Sequence, residues 1–230
     1  MVDDEIVAAW GRIEAALGRV LPAALELLPG PADGAAVEAV EAALQKALPE
    51  DFKASLLVHN GTTWGMPSPM PLYQLYGTDD LVGRTREWWD CADPDPELDE
   101  PGAWAHHIDE GSLHLRGAVR PVVGGERTVL IGDLNGDVLW YLDLDPAPGG
   151  TVGQVVRVDV ECAMWDVLAP SWRQLLLDYA AELERDAAGE PTTLDIDART
   201  GPTCDWGVKD RIKGHRPAWL RDVAAREPYA

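Results

Sequence analysis

Residues 128–160 read TVLIGDLNGDVLWYLDLDPAPGGTVGQVVRVDV. Three runs there, Thr128–Leu134, Asp137–Leu144 and Gln154–Val160, are rich in Val, Leu and Ile and are bounded by Asn, Asp, Gly or Pro. Such runs between turn formers read as strands. Asn135-Gly136 predicts a tight hairpin between the first two, because both central positions of the favoured turn need positive φ. Neighbouring strands are then antiparallel. Upstream, Ala118–Val123 reads as a further strand and Pro71–Tyr76 as a short one.

Outward from these strands the period changes to that of helices. Ile6, Trp10, Ile13, Leu17 and Val20 recur at helical spacing across residues 3–20, with Asp3, Asp4 and Glu5 well placed for a first turn. Pro22 opens a short second helix through Leu28, which Pro29-Gly30-Pro31 ends. Asp33 caps a third, with Val37, Val40, Leu44 and Leu48 as its apolar stripe, and Leu48-Pro49-Glu50-Asp51 starts a fourth that stops at Asn60-Gly61. Thr78-Asp79-Asp80 begins a helix running to about Trp89. Downstream of the strands, Ser171 caps a closing helix with Trp172, Leu175, Leu176, Tyr179 and Leu183 on one face. Helices, then strands, then a helix predict an α+β fold, an antiparallel sheet flanked by N-terminal helices and a closing C-terminal helix.

The 230 residues include 19 Lys and Arg against 40 Asp and Glu, a net charge of −21, and 46% are hydrophobic. That hydrophobic share excludes global disorder, and the charge repels nucleic-acid phosphates and anionic lipid. A basic protein is the expected partner; nucleic acid and membrane are not. The acidic Met1–Glu5 segment is unlike a secretory signal and no apolar run is long enough to span a bilayer, so a cytoplasmic protein is expected. Cys91, Cys162 and Cys204 are far apart and form no CxxC pair, which fits free thiols in a reducing compartment. Residues 1–187 read as one domain. Residues 188–230 read as a linker followed by a basic extension with a short helix at Pro217–Arg226.

No complete active site is legible, so no enzyme and no cofactor are expected. Asp133–Asp137 opens like a calcium loop, but Val138 stands where a Gly is needed and Leu144 where a bidentate Glu is needed. Asp143 and Asp145 read as a turn-initiating pair before Pro146. His106, His107, Asp109, Glu110 and His114 are metal-competent but lack HExxH spacing; a metal-dependent hydrolase built on them is a minor alternative. The most distinctive stretch lies between Glu87 and Leu115, with nine acids and no Lys or Arg, interleaved with Trp88, Trp89 and Trp104. It reads either as a solvated loop with its tryptophans turned inward or as a docking surface. In the second reading Asp93, Asp95, Asp99 and Glu100 steer a basic partner, and Trp104 and Trp88 anchor it. Trp88 and Trp89 are about 100° apart on a helix, so one of the two is expected to remain free for contact.

Several motifs in this order resemble the SUKH superfamily, the family of the fungal Smi/Knr-type regulator of cell-wall synthesis and of bacterial toxin-immunity proteins. They are Trp10-x-x-Ile13-Glu14, Glu41 with Leu44 and Leu48-Pro49-Glu50-Asp51, and His59-Asn60-Gly61. Leu142–Pro146 followed by Gly149–Val156 looks like the family's strand–loop–strand ending in GQV, and Ser171-Trp172 with Leu175-Leu176 sits where the family has its closing helix. The resemblance covers roughly residues 5–187. It implies an α+β domain that binds rather than catalyses, first as an immunity protein neutralising a polymorphic toxin and otherwise as a regulatory scaffold. It also implies that Trp10, Glu14, Leu48, Pro49, Asn60, Gly61, Asp143, Gly153 and Gln154 serve the fold.

Overall fold

Asp3 starts the chain's first helix by accepting the backbone N–H groups of Glu5 and Ile6 on its carboxylate, so two donors that a helix start leaves open are satisfied. The computed structural model describes residues 3–92, 107 and 111–204. Helix α1 (Asp4–Val20) buries Ile6, Trp10, Ile13 and Leu17, and a 3-10 turn (Pro22–Leu27) follows. Helices α2 (Gly34–Leu44) and α3 (Glu50–Leu56) come before all the strands, and α4 (Thr78–Asp90) follows the first of them. Helix α5 (Trp172–Ala187) closes the domain, with Ser171 Oγ accepting the N–H of Gln174.

The strands are β1 (Gln74–Leu75), β2 (His114–Arg116), β3 (Thr128–Asp133), β4 (Val138–Asp143), β5 (Gln154–Asp159) and β6 (Met164–Ala169). They form one sheet in the order β1-β3-β4-β5-β6-β2. Its pairs are antiparallel except β2 on β6, which is parallel, so the sheet is mixed rather than purely antiparallel. In β4, residues of both alternating sets are buried, as in a strand covered on two faces. Helix α4 lies against β3; α5 lies against β5 and β6 and carries α1 on its outer side. Arg12 of α1 forks onto Glu184 of α5 at 2.6 and 2.8 Å, and Arg173 holds both Asp3 and Glu5.

Several expectations are corrected. Asn135-Gly136 does not make the two-residue turn: Gly136 has φ +86° but Asn135 does not go positive. Asn135 Oδ1 instead accepts the N–H groups of Asp137 and Val138, giving a longer loop held by its own side chain. Ala118–Val123 is not a strand; Pro121 offers no N–H, and the N–H groups of Val119 and Val122 bond locally to Gly117 and Arg120. Strands β2 and β6 were not expected, β2 falling in the acidic stretch. The predicted linker contains a hairpin, β7 (Leu194–Asp197) with β8 (Gly201–Cys204). It is tied back because buried Glu182 of α5 accepts from the Thr192 and Thr193 hydroxyls and the Thr193 N–H. At its turn, the Ser68 N–H reaches Thr200 O at 3.3 Å.

Candidate protein-binding surface

Of the docking residues read from the sequence, Trp88 is described, and its place corrects the expectation. Its ring is 4% exposed, stacks over Tyr141 of β4 at 6.2 Å, and donates from Nε1 to Thr128 Oγ1 at 2.9 Å. Neither member of the pair is left free. Trp89 is half-buried, donates to Thr128 O at 2.8 Å and carries Lys46 Nζ 6.0 Å from its ring centre. Two adjacent tryptophans 100° apart can both turn inward because α4 lies over the edge of β3, which offers a side-chain and a main-chain acceptor on one residue. Asp93, Asp95, Asp99, Glu100 and Trp104 lie outside the described residues, as do His106, Asp109, Glu110 and residues 205–230. Among the described residues no group of three or more His, Cys, Asp or Glu is arranged to hold a metal ion, and no helix is long and apolar enough to cross a membrane.

The motif residues form two braces. In the first, Trp10 Nε1 donates to Ser55 Oγ at 2.9 Å and its ring meets His59 edge-on at 4.9 Å. His59 sets one ring nitrogen 2.8 Å from Glu14 Oε1 and the other 2.7 Å from Pro29 O. The Leu48 N–H donates to Glu41 Oε1 at 2.8 Å, which aims the buried Leu48 side chain and places Pro49 before α3. The Asn60 amide accepts the Thr78 N–H at 2.8 Å and donates to the Thr78 hydroxyl at 3.1 Å, capping α4 from outside it. Gly61 has φ +72°, and a Cβ there would stand 2.4 Å from Gly77 N, so only glycine fits.

The second brace closes the loop between β4 and β5. Gln154 Nε2 donates to Ala118 O at 2.8 Å and to Asp143 Oδ2 at 3.0 Å, while Gln154 Oε1 accepts the Thr151 N–H. Asp143 Oδ1 accepts the Asp145 N–H at 3.1 Å. Gly153, φ +85°, donates to Asp143 O and lies against Pro49, whose Cγ would be 2.9 Å from an added Cβ. Burial pushes the Asp143 carboxyl up to about 6, against the opposing pull of the Asp145 N–H and the Gln154 amide. A carboxylate locked among such partners orders a loop; it does not face a ligand.

Sequence reading missed two features. One is the row Arg116–Asp166–Arg157 across β2, β6 and β5, in which buried Asp166 is 3.6 Å from Arg116 Nε and 3.4 Å from Arg157 Nη1. No sequence signal announces it, because β2 and β6 were not recognised. The other is a set of exposed apolar side chains, Trp64 at 74%, Met66 at 44% and Tyr73 at 37% exposure. Its signal was available: Trp64 stands in TTWGMPSPMP, a stretch with neither helical nor strand period and no partner pattern to bury it.

The model of the SMI1 / KNR4 family (SUKH-1) matches residues 31–178. The chain belongs to this family. No curated protein matches it. The SUKH-1 match runs from just before α2 into α5 and so takes in the whole six-stranded sheet. It leaves out α1, which is nonetheless part of the same core: Ile6, Trp10, Ile13 and Leu17 are fully buried. The domain therefore reaches beyond the matched residues, with α1 held on α5 by the Arg12 and Arg173 ion pairs.

Proposed function

We propose that this SUKH-1 domain is a non-enzymatic binding protein that neutralises a basic toxin domain in the cytoplasm. The observation that carries the reading is the sign and placement of its charge: −21 overall, with nine acids and no Lys or Arg between Glu87 and Leu115. Carboxylates in such number repel one another, and a basic partner relieves that repulsion while gaining a faster encounter. Family membership supports the reading, because the resemblance to toxin-immunity proteins implies binding rather than turnover. The motif residues fit it too, since their polar atoms are used inside the fold. In this reading Asp93, Asp95, Asp99 and Glu100 steer the toxin, Trp104 anchors it, and no cofactor, nucleic acid or membrane takes part.

The test is co-expression with the toxic domain encoded by a neighbouring gene. Protection of the cells, and a complex of the two purified proteins, is the expected result. Neutralising Asp93, Asp95, Asp99 and Glu100 together should slow association about 10-fold at low salt and leave the melting temperature unchanged. Binding without protection would point to the regulatory-scaffold role, and no binding to any basic toxin domain would end the proposal.

A further inference from the structure

Among the described residues, Trp64, Met66 and Tyr73 are exposed large apolar side chains that folding does not account for. A tryptophan 74% exposed gains almost nothing from the fold, yet the loop that carries it is firmly held. The Thr62 N–H donates to Leu75 O and the Leu75 N–H to Thr62 Oγ1, both at 2.8 Å. The Thr63 N–H donates to Leu27 O at 2.8 Å, and Gly65 packs so closely on the Leu27 side chain that a Cβ there would be 3.1 Å from it. Trp64 and Tyr73 stand two residues beyond the Thr62–Leu75 contact on either chain. An aromatic side chain shown to solvent from a pinned loop has already lost part of the freedom that binding would otherwise remove.

The rim of this patch is acidic. Exposed Glu26 adjoins Leu27, the residue on which the Trp64 loop rests. On the Tyr73 side, the Tyr73 N–H bonds to Asp133 O, the Asp133 carboxylate takes the Tyr76 hydroxyl, and Asp80 takes the Gln74 amide, with exposed Asp79 beside it. Of the cations near it, Arg84 lies over the Tyr76 ring and pairs with Glu87, and exposed Arg199 adjoins Thr200, whose carbonyl accepts the Ser68 N–H. Aromatic and Met side chains within a charged rim are the composition of a protein interface. A second copy of the chain, itself carrying −21, would bring like charge to that rim.

We infer that Trp64, Met66 and Tyr73 form an anchoring part of the partner interface. The occupant is a basic protein that receives Trp64 in an apolar pocket and sets Lys or Arg against Glu26, Asp79, Asp80 and Asp133. The inference rests on the reading of the chain as a binder of a basic protein, and it adds to Trp104 a second anchor on the Trp64 loop.

The probe is a phage-displayed library of random peptides selected on the full chain, followed by affinity measurements with the synthetic winners. Enriched peptides are expected to be cationic with a large apolar residue. Their affinity should fall at least about 10-fold on the Trp64→Ser/Met66→Ser/Tyr73→Ser variant, which loses only exposed side chains and should keep its melting curve. Glu26→Gln/Asp79→Asn, a milder variant, should weaken the same peptides several-fold at low salt and less at high salt. Cationic peptides that bind the triple variant as tightly as the parent would overturn this inference alone, and would shift attention to the 93–104 acids. Winners that are neutral or acidic, or a selection without winners, would overturn both this inference and the basic-partner reading. Self-association abolished by the triple variant would replace the basic partner with a second copy and overturn the inference.

Discussion

Trp88 and Trp64 are the same side chain, 24 positions apart, treated in opposite ways. Trp88 lies on the last turns of α4 at a position that faces the sheet; its ring covers Tyr141 and its N–H finds the Thr128 hydroxyl. Trp64 lies in a loop whose backbone is fixed by Thr62, Thr63 and Gly65 and whose local geometry leaves its ring in solvent. The difference teaches where binding residues are to be sought in this domain. A tryptophan with a periodic neighbourhood serves the core, whatever charges surround it. One without such a neighbourhood, on a pinned loop, is free for another molecule.

The contrast can be broken most directly at Trp88. Trp88→Ala removes a fully packed ring and should lower unfolding free energy by about 3–5 kcal/mol, read as a shift in denaturant midpoint at unchanged slope. An effect near zero would mean the ring is not held as described. Gly61→Ala comes next. The new methyl would meet the backbone at Gly77 N and Leu75 O, atoms that cannot swing aside, in a left-handed conformation that alanine disfavours. A loss of about 2 kcal/mol or more is expected by thermal or denaturant unfolding.

Asp143 sharpens the contrast between a bracing and a binding residue. Its folded carboxyl sits at about 6, above the ordinary carboxylate value, so the folded state binds the extra proton as pH falls from 7 toward 5. The parent should therefore gain about 1 kcal/mol relative to Asp143→Asn over that interval, because only the parent has the titrating group. Unfolding curves of both proteins at the two pH values check the sign; a gap that moves the other way would show that Asp143 is held as a carboxylate by its partners. The smallest effect is expected at the other tryptophan. Trp64→Ala should change stability by less than about 0.5 kcal/mol, since little of its surface is withdrawn from water. A larger loss would return Trp64 to the fold and remove it from the interface.

Most helices were legible because their signals are local. Asp33 and Ser171 cap the helices they were expected to cap, Asp3 caps α1 instead of lying in its first turn, and the stripes Ile6–Leu17 and Trp172–Leu183 are the buried faces of α1 and α5. Strands β3, β4 and β5 were legible for the same reason. Strand β6 was not, because Asp166 breaks its apolar run; that residue is buried beside Arg116 and Arg157 from two other strands. The β7–β8 hairpin was missed because its ties to the domain lie elsewhere, in Glu182 of α5 and in Ser68. In the candidate site, the acidic character was visible in composition, whereas the inward turn of Trp88 and Trp89 depended on Thr128, some 40 residues away.

The amino-acid sequence by itself determined the α+β class, the capped helices, the three central strands and the sign of the chain's own charge. These follow from period, capping chemistry and net charge, which are properties of neighbours in the chain or of the whole composition. Only the tertiary structure decided the parallel edge strand β2, the two braces around Glu14–His59 and Asp143–Gln154, and which tryptophans are spent on the core. Each of those depends on a partner that folding brings from far along the chain. A side chain's burial is a property of the pair it makes, and one member of a pair does not specify the other.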